Sequence, residues 1–394
     1  MLFDELRAYA AGGVYPMHMP GHKRNAGFLP PGLPYEIDIT EIHGFDDLHD
    51  PHSLLMETAG VAAGLYGSDK AFPLINGSTV GILAAIGAHA GRGDKVLVAG
   101  NCHRSVQNAV ALFGAEPVYI EPDEDEDSGI ACSINPATVE SMLVSNPDVR
   151  LVVVTSPSYE GVVSDIGSIA AIAHKRNIPI FVDSAHGAHL GFSGFFPDSA
   201  VHEGADVVVM SLHKTLPALT QCSLLHVCGE RADLGELSRL LSVLQTSSPS
   251  YVLMASIDSC LRLLADDKDS LFYEYERNLE RFYVEAKALE NLCILGQVGQ
   301  GDGSRVPMWD TRTVPLSQTV PLSHFAFDPG KIVIVTKKAA ISGDRLMSIL
   351  REEFLIELEL ARPNYAIAMT SICDTAEGFD RLIKALVSID RFFR

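Results

Sequence analysis

Basic residues are in deficit in this chain: 30 lysines and arginines stand against 50 aspartates and glutamates, a formal net charge of −20 over 394 residues. A surface of that sign repels phosphate backbones and anionic lipids, which argues against nucleic-acid and membrane partners. Long apolar runs are lacking too. No uninterrupted stretch approaches the roughly 18 residues of a membrane-spanning helix. The N-terminus, Met1-Leu2-Phe3-Asp4-Glu5-Leu6-Arg7, carries charge where a secretory signal needs an apolar core. The seven cysteines include no Cys-x-x-Cys pair. An odd count without secretory features predicts reduced thiols in the cytoplasm. The Gly-x-Gly-x-x-Gly dinucleotide fingerprint is missing, because Gly91-Arg92-Gly93 lacks the third glycine and precedes a strand. A Walker phosphate loop and a His-Glu-x-x-His metal motif are missing as well. His186 and His189 have no third ligand, so no metal site is expected. There is no internal repeat or low-complexity tract.

What the chain does have is alternation. With 47% hydrophobic and 20% charged residues it can bury a full core and is not disordered. Short runs rich in β-branched residues recur at 95–98, 117–120, 151–154, 179–182, 207–210 and 223–227. Each is apolar on both faces, as strands of a mostly parallel sheet covered by helices must be. Helical stretches lie between them, at 80–90, 104–113, 136–144 and 168–176. The pattern predicts an α/β doubly wound class. Residues 1–60 are less regular until a helix over 52–66. Residues 230–292 read as helices, one over 234–244 and a long charged one near 271–289. A Gly/Pro-rich connection over 296–321 leads to strand, helix, strand, strand, helix at 331–335, 343–353, 356–360, 366–370 and 376–392. Three parts follow: an N-terminal segment 1–60, a large domain 61–292 and a small α+β domain 293–394. The acidic run 121–127 reads as a solvated loop.

One lysine stands out. Ser211-Leu212-His213-Lys214 follows directly on the apolar run 206–210. A lysine at the end of a buried strand is costly unless its ammonium is paired or used. A Schiff base with an aldehyde cofactor is one such use. Asp183 ends another apolar run, 178–183. A lysine and an acid at the ends of two successive strands fit pyridoxal phosphate (PLP): the lysine bonds the aldehyde and the carboxylate holds the pyridine nitrogen protonated. Without such neighbours Lys214 would pass for a snorkelling surface lysine. Asn76-Gly77-Ser78-Thr79 lies between the apolar run 71–75 and an apolar helix. Alone it is an ordinary helix cap. Beside the lysine–aspartate pair it becomes an anchor for the cofactor phosphate. Gly77 lets the backbone come close, and Ser78 and Thr79 offer hydroxyls and N–H groups at the positive end of the helix. His103, just after the strand ending at Val98, is placed to stack on an aromatic cofactor or to be a loop histidine with no role.

Together these motifs resemble the PLP-dependent decarboxylases of ornithine, lysine and arginine. The matching segments are Met17-His18-Met19-Pro20-Gly21-His22-Lys23-Arg24, Asp38-Ile39-Thr40-Glu41 with Asp46-Asp47-Leu48, Asn76-Gly77-Ser78-Thr79, Asn101-Cys102-His103, Ser156-Pro157-Ser158-Tyr159, Asp183-Ser184-Ala185-His186-Gly187-Ala188-His189, Ser211-Leu212-His213-Lys214 and Gln245-Thr246-Ser247-Ser248-Pro249-Ser250-Tyr251. They run in family order, and the small domain resembles the family's more weakly. The resemblance implies the PLP-dependent transferase type I fold, a mostly parallel sheet sandwiched by helices with a small C-terminal α+β domain. It implies that Lys214 bonds the cofactor, Asp183 pairs with the pyridine nitrogen and His103 stacks on the ring. Lys214 or His213 then returns a proton to the substrate Cα. Gly77, Ser78, Thr79, Ser211 and His213 hold the phosphate side, and Ala185 and His186 join the cofactor contacts. Thr246 and Ser247 complete a neighbouring subunit's site, because such folds build sites at a dimer interface. The N-terminal segment contributes to site and dimer. Its acids Asp38, Glu41, Asp46 and Asp47 either offset the charge of a basic substrate or form a solvated acidic loop.

The expected activity is decarboxylation of lysine, arginine or ornithine to the corresponding amine, in polyamine metabolism. The expected enzyme is a cytoplasmic homodimer or higher even-numbered oligomer that acts on a small-molecule amino acid. Two departures keep other readings open. The chain is short for the family, without a response-regulator-like N-terminal domain and with an early end, which leaves a catalytically silent PLP-binding paralogue open. Arg362, in Leu360-Ala361-Arg362-Pro363-Asn364, lies near the family's substrate-facing strand. Type I aminotransferases hold the substrate α-carboxylate with a C-terminal arginine, which leaves an aminotransferase or a lyase open.

Overall fold

The computed structural model of the chain describes residues 1–125, 128–295 and 325–393. The connection expected over 296–321 lies outside the described residues, as do Glu126 and Asp127 of the acidic run. The short apolar runs become strands: β1 (Lys70–Leu74), β2 (Lys95–Ala99), β3 (Glu116–Ile120), β4 (Val149–Thr155), β5 (Val162–Ser164), β6 (Ile180–Asp183), β7 (Val207–Ser211) and β8 (Ser223–Val227). Seven of these, all but β5, form one sheet in the order β1-β8-β7-β6-β4-β2-β3. Strands β7, β6, β4, β2 and β3 pair in parallel, and β8 runs against both of its neighbours. Successive side chains point to opposite faces of a sheet, and here both faces are buried. Val152 and Val154 join one hydrophobic cluster with Ile180, Val182 and Val208. Leu151 and Val153 join the other with Phe181, Val207 and Val209. That is why these strands show no polar alternation.

The helices are α1 (Leu2–Ala11), α2 (Leu54–Tyr66), α3 (Gly77–His89), α4 (Arg104–Phe113), α5 (Pro136–Ser145), α6 (Ile166–His174), the one-turn α7 (Leu212–Thr215), α8 (Leu234–Leu244) and α9 (Tyr251–Ala286). Beyond them lie β9 (Cys293–Ile294), β10 (Phe325–Phe327), β11 (Lys331–Val335), α10 (Gly343–Phe354), β12 (Leu360–Arg362), β13 (Tyr365–Met369) and α11 (Ala376–Phe392). The order β12-β13-β11-β9 makes a small antiparallel sheet, and β10 pairs antiparallel with β5.

Four elements differ from the sequence expectation. Helix α1 stands where the segment read as irregular; its two buried leucines, Leu2 and Leu6, find their partners in distant parts of the chain. Helix α9 is one continuous element of 36 residues. Its run Asp266-Asp267-Lys268-Asp269 looks like a break but is a largely exposed face. The strand expected over 356–360 forms instead at Leu360–Arg362, because Arg362 pairs with Tyr365 across a two-residue turn and fixes the register. The β5–β10 pair is too short and too remote in sequence to show as a pattern.

Asp258 on α9 organises the N-terminal helices. It is fully buried and accepts hydrogen bonds from Leu2 N (2.9 Å), Thr58 Oγ1 (2.9 Å) and Arg262 Nε (3.0 Å). One carboxylate therefore faces the positive end of α1, fixes α2 and pairs with a cation. Arg262 also reaches Glu57 at 2.6 Å on the exposed side. Replacing Asp258 with alanine leaves three donors without their acceptor and should cost about 3 kcal/mol in denaturant unfolding. Glu57→Gln, at the exposed end of the same network, should cost less than about 1 kcal/mol.

Candidate active site

The carboxyl ends of parallel strands in an open α/β sheet face a common crevice. Here that edge opens into a cavity of roughly 620 Å³. The turn after β1 supplies Asn76, Gly77, Ser78 and Thr79; the turn after β2 supplies Asn101 and His103; β6 ends at Asp183; and β7 leads into Ser211, His213 and Lys214. Of the cofactor residues expected from sequence, all but Thr246 and Ser247 line this space. Thr246 stands at its rim, with its N–H 3.3 Å from Asn76 Oδ1.

Lys214 is half-buried on α7, and its Nζ lies 3.0 Å from His186 Nε2. Burial pulls its amine below the usual lysine range, while the charges of Asp183 and Glu359 pull the other way. Asp183 is 1% exposed, and burial pushes its carboxyl up. Lys214, a hydrogen bond from Ala185 N (3.2 Å) and His103 oppose that push. Burial lowers His186 well below the usual imidazole range, and the charges of Lys331 and Lys214 add to the effect, so its ring is neutral. His213 is lowered too, first by burial, while its Nδ1 contact of 2.8 Å with the Cys222 carbonyl acts against this. Cys102 also lines the cavity; burial and the Asp183 charge push its thiol up to about 11, so it is not a nucleophile near neutral pH.

The other end of the cavity presents a helix N-terminus, which suits an anion. Helix α3 begins there at Gly77, whose φ of +71° and open Cβ side leave the backbone clear. Ser78 Oγ lies 2.7 Å from Ser211 Oγ, which locks the first turn of α3 to the end of β7. His103 caps α4 through Nδ1, which accepts from Ser105 N at 3.2 Å, and its ring is otherwise exposed at the cavity.

The outer wall carries residues that sequence reasoning missed. Glu160 lines the cavity and accepts from Tyr365 Oη (2.8 Å) and Ser158 Oγ (3.1 Å). Tyr159 donates to Glu359 and packs its ring 4.6 Å from His186. Arg362, by contrast expected near the substrate from the sequence, lines the cavity as well. Glu160 directly follows a recognised motif, so adjacency was the available signal. Glu359, Tyr365 and Lys331 come from the small sheet, and only the fold brings them in.

The four N-terminal acids are engaged elsewhere in this chain, and none lines the cavity. Asp46 accepts from Ser53 N (2.7 Å), Ser53 Oγ (2.8 Å) and Leu55 N (2.9 Å), which secures the start of α2. Burial pushes its carboxyl up, and these hydrogen bonds together outweigh that and hold it low. Asp47 accepts from His49 N at 2.8 Å, Asp38 lies 3.2 Å from His22 Nε2, and Glu41 accepts from Thr40 Oγ1. Among the described residues no group of three or more His, Cys, Asp or Glu is arranged to hold a metal ion.

An aromatic aldehyde bearing a phosphate fits this arrangement. Asn101 Oδ1 and Thr155 Oγ1 are buried at the cavity wall without a hydrogen-bond partner. Buried polar atoms of this kind are costly unless a ligand meets them. The buried Asp183 carboxyl suits a protonated ring nitrogen, the lowered Lys214 amine suits an aldehyde, and the α3 terminus suits a phosphate.

Comparison with known proteins agrees with this geometry. A lysine decarboxylase of Francisella novicida matches in structure with a TM-score of 0.85, over 99% of this chain and 60% of its own, at 19% identity. That likeness is one of fold. An SPT structure with PLP matches at a TM-score of 0.60 over 86% of this chain and 77% of its own, at 16% identity. The chain thus spans about three fifths of the solved lysine decarboxylase. In sequence, an arginine decarboxylase of Halalkalibacterium halodurans is 31% identical over 391 residues, which is 98% of this chain and 76% of that protein. An arginine decarboxylase of Bacillus subtilis is 30% identical over 394 residues, with the same two shares. The family model described as Orn/Lys/Arg decarboxylase, major domain, matches residues 1–377. With the cavity, the sheet order and the sequence all in agreement, the chain belongs to the Orn/Lys/Arg decarboxylase family.

Proposed function

We propose that this protein is a PLP-dependent decarboxylase of a basic amino acid: arginine, lysine or ornithine. One observation carries the reading: a buried carboxyl, Asp183, and a desolvated amine, Lys214, share a cavity whose outer wall holds Glu160. The relatives named arginine decarboxylase support arginine as the first of the three to test.

Bound PLP would supply an aldehyde for the Lys214 amine and a sink for the electron pair left when the Cα–carboxylate bond breaks. Asp183 would hold a proton at the ring nitrogen, His103 would cover a ring face, and Ser78, Thr79 and Ser211 would take the phosphate oxygens. His186, neutral and 3.0 Å from Lys214, accepts or returns a proton at the Lys214 amine. Glu160, already held by Tyr365 and Ser158, would face the cationic end of the substrate. The reaction consumes one proton at Cα, delivered by Lys214 or His213.

The working unit is a homodimer or larger even-numbered oligomer in the cytoplasm. Supporting the first point, Tyr15, Met17, Met19, Phe28 and Leu33 leave an exposed apolar N-terminal segment. On a neighbouring copy, Thr246, Ser247 and the acids Asp38, Glu41 and Asp47 would serve the second site. The seven cysteines are all unpaired, as a reducing compartment requires. No helix among the described residues is long and apolar enough to cross a membrane. Arg362 at the cavity wall favours a second reading, an aminotransferase that holds the substrate α-carboxylate.

Purified protein supplied with PLP should release CO₂ and the corresponding amine from one of the three amino acids, and borohydride should fix the cofactor on Lys214. A keto acid in place of CO₂ would move the assignment to the aminotransferase. Asp183→Asn should retain the cofactor but lose at least about tenfold in turnover, roughly 1.4 kcal/mol in barrier. Glu160→Gln should raise KM for the charged substrate by more than about tenfold and leave an uncharged analogue of similar length nearly unaffected. An equal change for both would place recognition of the distal charge on the N-terminal acids.

A further inference from the structure

Lys331 opens β11, yet it is only 1% exposed. A buried ammonium is costly unless it is paired or used. Its Nζ lies 3.4 Å from His186 Nδ1, and His186 Nε2 lies 3.0 Å from Lys214 Nζ. Two amines thus flank opposite nitrogens of one imidazole. The charged and titratable groups around Lys331 are few. Asp328 is held low because His189 at 3.0 Å, Lys331 and the Gly330 N–H outweigh its burial. Glue between the two halves of the site comes from Glu359, which acts on both lysines. Tyr275 and Tyr283 stay protonated, first through burial and then through the Asp328 charge. Burial brings Lys331 down to about 8, with Asp328 opposing and Lys214 adding. An amine that titrates there can hold or release a proton near neutral pH. The backbone makes room for it: Gly161 has a φ of +98°, and a Cβ there would stand 2.8 Å from Lys331 Cγ.

We propose that Lys331 and His186 form a buried proton relay that sets the charge on Lys214, an inference that rests on the decarboxylase reading above. Lys331 is a positioning residue that acts through His186. In one direction the Lys331 ammonium gives a proton to His186 Nδ1 while the Nε2 proton passes to the Lys214 amine. The imidazole changes tautomer, and net charge is conserved. The reverse transfer leaves Lys214 uncharged, the form that attacks an aldehyde. Neither direction needs water in the cavity.

The test follows cofactor attachment, not turnover. Apo protein is mixed with PLP between about pH 6 and 10, and attachment at Lys214 is read by absorbance and by borohydride trapping. With Lys331 as the proton acceptor, the wild-type attachment rate should rise through about pH 8. Lys331→Met carries no titrating amine, and Lys331→Arg cannot release a proton. Both should lose that rise and attach at least about tenfold more slowly at about pH 9. In mixtures of H₂O and D₂O the wild-type rate should fall along a curve, because two protons move together. A straight line would overturn the relay, and so would a rise through about pH 8 that persists in Lys331→Met. The isotope measurement needs no variant and decides the question even if Lys331→Met fails to fold. If wild-type protein attaches no PLP at Lys214, the cofactor reading itself falls, an outcome distinct from failure of the relay.

Discussion

The site depends on one buried negative charge. Asp183 ends the central strand β6 with almost no contact with water, and burial alone would drive a carboxyl there toward its neutral form. Cations must gather around it for the charge to persist. Among the described residues Lys214 is the first of these. The same charge, added to burial, keeps Cys102 as a thiol. A protonated heteroaromatic ring laid against Asp183 would complete the balance, and the cavity has a volume and a helix terminus that suit one.

The core of this arrangement was legible in the sequence because each part is local. A lysine one turn beyond a buried strand, an acid closing another and a glycine opening a helix all reveal themselves within a few residues. Strand and helix positions in the large sheet were legible for the same reason, since a two-faced parallel sheet needs uninterrupted apolar runs. Arg362 apart, the outer wall was not legible. Glu359, Tyr365 and Lys331 reach the site from the small sheet, and β12 took a register set by its turn and not by its own pattern. The N-terminal acids looked free in sequence. In the fold Asp46 is a helix cap, a role fixed by the approach of Ser53 and Leu55.

The two sheets are joined at the cavity by a small device. Strand β5, which stands outside the large sheet, follows the Ser158–Tyr159–Glu160 turn and pairs with β10. After three intervening residues beyond β10, Lys331 begins β11. The short pair therefore brings the small sheet's charged residues against a wall made by the large one. Its hydrogen bonds are few, but they determine which side chains meet.

Gly161 lies inside this joint, and its missing side chain has a consequence for how the protein can change. Any side chain at 161 would collide with the stem of Lys331 and would also have to adopt a positive φ. The two positions are therefore not independent sites of variation. A lineage that loses the glycine must first shorten or lose the lysine, and one that keeps the lysine must keep the glycine. Drift at either position alone is closed off, and the route to a new side chain at 161 runs through 331.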